Sequence, residues 1–233
     1  MAVESPVSHR LTHVALLLLT FATGLVDAVS VLELGHVFVA NMTGNVVFLG
    51  FAIAGAHDFS IPASLAALAA FLVGALAGGR LGSKTGQHRG RFLTIALVVK
   101  IVLVAAALAF AIAIPDRGNP IAQYALIALL SLAMGLQNAT ARRLAVADLT
   151  TTVLTLTLTG VAADSTLAGG SNPRPGRRWT AAVVMLLGAA VGAYLVLNAG
   201  IVAALALTLV LLVLNGIASW RASTSSEPWT VAA

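Results

Sequence analysis

The chain has 233 residues, 59% of them hydrophobic and 9% charged, with a mean hydropathy of +0.99 and a formal net charge of +5. A soluble domain carries roughly 25% charged residues, so this composition excludes one and predicts a single integral membrane domain, 1–233, in contact with the lipid bilayer. The basic residues fall in short loops between apolar runs, which excludes nucleic acid as the partner they serve; with no cysteine, disulfides, iron–sulfur clusters and thiol catalysis are excluded as well.

The first apolar run, roughly 14–34, follows Arg10 and contains Asp27. It has no small-residue cleavage site, so it reads as a retained helix rather than a leader. Next comes VFVANMTGNVVFLG, residues 37–50, where Asn41, Thr43 and Asn45 surround Gly44 at the start of a short apolar stretch, roughly 45–56. Asn and Thr are good N-caps and glycine permits close backbone approach. NMTGN therefore predicts a half-helix whose N–H groups and positive dipole end point into the protein.

Runs at roughly 61–79, 92–114 and 121–140 follow, each near the 20 residues a span needs. The stretch 150–168 is different, holding Thr150, Thr151, Thr152, Thr155, Thr157 and Thr159, then Asp164. Its TLTLT alternation would suggest a strand in a soluble protein. A strand facing lipid leaves its backbone unpaired, so a helix or half-helix is expected. Runs at roughly 179–197 and 200–220 close the series, and 222–233 reads as a flexible tail.

Loop charges choose between eight crossings and six. With eight, the basic residues split six against six. If 45–56 and 150–168 enter and leave on one side, the split becomes eleven against one, with Arg117 alone outside and Lys100 uncounted within a span. Positive loops face the cytoplasm, which favours six transmembrane helices, two re-entrant segments and cytoplasmic termini.

The two halves resemble each other. TGLVDA (23–28) matches MGLQNA (134–139), ANMTGNVVFL (40–49) matches ADLTTTVLTL (147–156), and FLVGALAGGRL (71–81) matches MLLGAAVGAYL (185–195). Three matches in the same order point to duplication, with repeat one at about 10–115 and repeat two at about 120–221. Three spans per half invert the second copy relative to the first. The expected fold is therefore all-α integral membrane, with two inverted repeats, six transmembrane helices and two broken segments meeting near the midplane.

The candidate substrate-binding residues follow from this plan: Asp27, Asn41, Thr43, Asn45, Gln137, Asn138, Asp148, Thr150 and Thr152. A carboxylate at the depth of Asp27 costs roughly 2.5–3.5 kcal/mol on insertion scales, which marks it as a proton or cation site or a packing residue. Gln137 and Asn138 occupy the repeat position of Asp27 and serve either as helix cross-links or as substrate contacts. Lys100 is expected to snorkel to the surface. Gly74/Gly78 and Gly188/Gly192 are G-x-x-x-G pairs that let helices pack closely, inside the chain or between the copies of a homodimer. The sequence has no P-loop, no H-E-x-x-H pair and no G-x-S-x-G elbow, so neither an enzyme nor a cofactor or metal is expected.

The segment TGLVDAVSVLELGHVFVANMTGNVVFLG, 23–50, resembles the signature of the YoaK-like family of small bacterial inner-membrane proteins of unknown function. The matching positions are Gly24, Val26, Asp27, Ala28, Gly35, Val37, Phe38, Asn41, Met42, Thr43, Gly44, Asn45 and Gly50. GLQNA at 135–139, with Thr152 and Thr155, extends the likeness along the chain. The resemblance implies a bacterial inner (plasma) membrane protein of six spans, and no particular substrate. The residues themselves favour a small-molecule or ion transporter or channel, against a non-transporting partner or regulatory subunit whose polar motif is structural.

Overall fold

The computed structural model describes residues 6–85, 88–116, 118–144, 154–171 and 175–223. The helices are α1 (Pro6–Glu33), α2 (Met42–Ile53), α3 (Ile61–Thr85), α4 (Arg89–Ala113), α5 (Pro120–Leu144), α6 (Leu154–Ala163), α7 (Pro175–Ala199) and α8 (Ile201–Ser223), with a 3-10 turn at Thr166–Ala168. Among the described residues there is no strand, as expected where lipid offers the backbone no hydrogen bonds.

Six helices contain spans long and apolar enough to cross a membrane: Val14–Glu33, Ile61–Thr85, Gly90–Ala113, Pro120–Leu144, Trp179–Ala199 and Ile201–Trp220. They coincide with the six long runs of the sequence. With 12 and 10 residues, α2 and α6 reach about 18 and 15 Å, well short of a hydrocarbon core of about 30 Å. The chain is thus an all-α, multi-pass membrane protein.

Burial ranks the spans. The most apolar window is 67% buried in α1 and 56% in α5, against 22–33% in the other four, so α1 and α5 form the centre. The others turn Leu72, Val98, Leu186 and Val210 outward, where lipid tails cover them.

Glycines set the closest approaches, and each approach is made twice. A Cβ on Gly24 would collide with the backbone of Met185 and Ala189, and one on Gly135 with the backbone of Phe71 and Ala75. Gly188 closes on Phe21 and Gly74 on Leu132, while Gly192 meets Leu25 and Ala28 and Gly78 meets Leu136 and Ala139. These are the positions paired by the sequence matches. Each half's first helix therefore packs on the other half's third.

One expectation is corrected here. Both G-x-x-x-G faces are covered by the chain's own α5 and α1, so neither is open to a homodimer through Gly74/Gly78 or Gly188/Gly192. Their small residues already serve backbone contact within the chain.

The contacts also give helix directions. Gly74, Gly78 and Gly82 meet Leu132, Leu136 and Arg143 in turn, so α3 and α5 run parallel. Gly188 and Gly192 meet Phe21 and Leu25, which makes α7 parallel to α1. Leu16 and Leu19 share a void with Thr140 and Leu144, while Thr23 bonds Gln137; α1 and α5 therefore run in opposite directions.

Candidate functional site

The site is built on the loop that returns from α1 to α2. Gly35 (φ 83°) and the non-glycine His36 (φ 55°) both adopt left-handed backbone, which reverses the chain immediately after α1. Residues 37–40 then double back along α1. Asp27 Oδ1 accepts the Ala40 N–H at 3.1 Å, with the Val39 N–H beside it. From α2, Asn45 Oδ1 accepts the Phe38 N–H at 2.8 Å and Asn45 Nδ2 donates to the Phe38 carbonyl at 2.6 Å. Unpaired backbone groups are expensive in so apolar a setting, so these two side chains are what permits a non-helical loop here.

Gly44 lies directly beneath the Phe38 ring, and a Cβ there would stand 2.5 Å from Phe38 Cδ2. That ring stacks on Phe48 at 5.5 Å, and Phe48 meets Phe59 at 4.7 Å. Asn41 caps α2, its side chain accepting the Gly44 N–H. NMTGN is thus explained residue by residue: cap, close approach, loop anchor. Asn45→Ala should strand both backbone groups of Phe38 and destabilise the protein by about 2 kcal/mol. Thermal unfolding of the purified protein in detergent measures this, and an unshifted melting curve would remove Asn45 from its anchoring role.

Between α1, the loop, α2, α6 and α7 lies a cleft of about 970 Å³, at the upper end of the range for small-molecule sites. Its polar wall is Thr23, Asp27, Asn41 and Thr43, with Thr155 from α6. Both short helices therefore reach it, and the N-terminus of α2 borders it directly.

Of the residues singled out in the sequence, Asp27, Asn41 and Thr43 share this cleft. Asn45 does not; it is fully buried and its amide is engaged with Phe38. Gln137 faces elsewhere, donating to Thr23 Oγ1 at 3.0 Å and accepting from Lys100 Nζ. Asn138 Nδ2 donates to the Met134 carbonyl one turn back at 2.9 Å. Asp148, Thr150 and Thr152 lie outside the described residues.

Lys100 corrects a second expectation. It is 2% exposed and does not snorkel. It lies ten residues into the span that begins at Gly90, about 15 Å deep, beyond the reach of its stem, and an amide acceptor waits beside it. Two residues outside the candidate set join the account: Lys100, expected only to snorkel, and Thr23, which precedes Asp27 by one helical turn and so shares its face.

The architecture is that of a polytopic helical membrane protein with a polar cleft at its non-spanning helices. By sequence the chain belongs to the family described as "Protein of unknown function (DUF1275)", whose pattern covers residues 15–217. It is 37% identical over 160 residues to "UPF0700 transmembrane protein YoaK" of Bacillus subtilis (strain 168), covering 67% of this chain and 68% of that protein. No solved structure matches it significantly.

Proposed function

We propose that this protein is a small-molecule or ion carrier or channel of the bacterial inner (plasma) membrane, built as two inverted repeats with both termini cytoplasmic. The observation that carries the reading is the cleft, where an intramembrane carboxylate and the ends of both broken helices meet. Midplane sites between inverted repeats are assembled this way. The doubled glycine contacts and the opposite directions of α1 and α5 support the inversion. Asp27 is the charged group of the cleft among its described residues, which favours a cation, or a neutral solute moved with protons.

The rival reading, a non-transporting partner subunit, draws on the bonds by which Asp27 and Asn45 hold the loop. Liposomes containing only the purified chain separate the two. Cation- or proton-linked solute flux above that of protein-free vesicles is expected, and its absence across candidate solutes would favour the partner.

Orientation is tested in intact cells with single cysteines in this cysteine-free chain. Ser83→Cys, at the α3 end that carries Lys84, should resist an impermeant thiol reagent, while Asp58→Cys on the opposite side should react. The reverse pattern would invert the proposed topology.

A further inference from the structure

The cleft is not the only cavity on α1. One to two turns nearer the N-terminus, Leu16 and Leu19 help line a small, half-open void of about 20 Å³ with Leu93, Leu97, Lys100, Gln137, Thr140 and others, space for about one water molecule. On α1 the cleft ends at Thr23 and the void begins at Leu19. What bridges the helices between them is a line of three polar side chains from three helices. Lys100 Nζ of α4 donates to Gln137 Oε1 of α5, and Gln137 Nε2 donates to Thr23 Oγ1 of α1 at 3.0 Å. Thr23 Oγ1 in turn donates to the Leu19 carbonyl at 2.8 Å.

The direction of these bonds is dictated by chemistry. An ammonium only donates, so the amide oxygen of Gln137 must face Lys100, which turns the amide nitrogen toward Thr23. Lys100 thereby sets the orientation that ties α5 to α1. All three side chains are buried, at 2%, 5% and 0% exposure for Lys100, Gln137 and Thr23, and no carboxylate among the described residues pairs with Lys100. The link therefore holds by hydrogen bonds to a neutral amide rather than by an ion pair.

We propose that Lys100, Gln137 and Thr23 are the gate at the floor of the cleft, separating it from a path through the small void toward the opposite face. The inference rests on the transport reading and assigns Lys100 and Gln137 a role there as gating residues that do not touch the solute. In this state the gate is shut: the cleft stops at Thr23, and the small void beyond is lined mostly by leucine and alanine.

The test uses Ala141→Cys, a buried position on the void wall, with Thr43→Cys in the cleft as the reference for reagent access. Reconstituted protein is treated with an impermeant methanethiosulfonate from the side that labels Thr43→Cys. With the parent gate, Ala141→Cys should react far more slowly than the reference. Gln137→Ala removes the bonds to Lys100 and Thr23 and should speed its labelling roughly tenfold or more, as expected for loss of a hydrogen bond to a charged group. Gln137→Glu pairs its carboxylate with Lys100 and should keep labelling slow while depressing flux.

A residue needed only for folding would give both variants the same sign, and Lys100→Met, which keeps the bulk but removes the donor, provides a second route to the open phenotype. The gate is overturned if parent Ala141→Cys labels as fast as Thr43→Cys, or if Gln137→Ala protects as well as the parent. Opposite labelling responses without any flux would retain the barrier and remove the transport reading; flux with indifferent labelling would do the reverse.

Discussion

Gly135→Leu should unseat α5 from α3 and cost more than about 3 kcal/mol, the upper range for overpacking, because the added atoms meet backbone that cannot yield. The Cβ alone would collide with the Phe71 carbonyl and the Ala75 amide. Gly24→Leu should do comparable damage through the equivalent contacts with Met185 and Ala189. Gly79, in the same helix as Gly74 and Gly78, has nothing within 4 Å of its Cβ position, and Gly79→Ala should be neutral or slightly stabilising, since alanine favours helix. Melting curves of the three variants in one detergent read the comparison directly. Equal tolerance at 24, 79 and 135 would dismiss the doubled glycine seam.

The second large effect is on function. Asp27→Asn should leave the protein folded and abolish cation- or proton-linked flux. Asparagine can still accept the Ala40 N–H through its amide oxygen, so part of the loop anchor survives, and the cost of holding a charge within the membrane disappears. Stability should therefore stay within about 1 kcal/mol of the parent. Flux loss with an intact fold identifies a charge kept for use. If Asp27 served the loop alone, flux would fall only in proportion to the folded fraction, and its pH dependence would be that of the parent.

The six spans were legible because hydropathy and loop charge both bear on them, and a membrane leaves the backbone little choice. The close helix contacts were legible in Gly24, Gly74, Gly135 and Gly188 because such an approach accepts few other residues. The polar residues were harder. Spacing marks Asn41 and Asn45 equally as caps, yet Asn41 caps α2 while Asn45 binds Phe38 seven residues back, in a loop that Gly35 and His36 turn back onto α1. Gln137 and Asn138 are adjacent, and a helix points them about 100° apart. Which of them meets Lys100 depends on how α4 packs, which no local pattern encodes. The depth of Lys100 was readable, but the acceptor that holds it lies 37 positions away in sequence.

The most direct measurement of the central claim is flux through Thr43→Cys protein in liposomes while a thiol reagent is titrated against it. Thr43 lines the cleft beside Asn41 and Asp27, and Leu72 on the outer face of α3, 64% exposed, provides the control. The account predicts that flux through Thr43→Cys falls in step with labelling, that bulkier reagents block it more fully, and that Leu72→Cys carries flux unchanged when modified. Full labelling of Thr43→Cys with undiminished flux would contradict it.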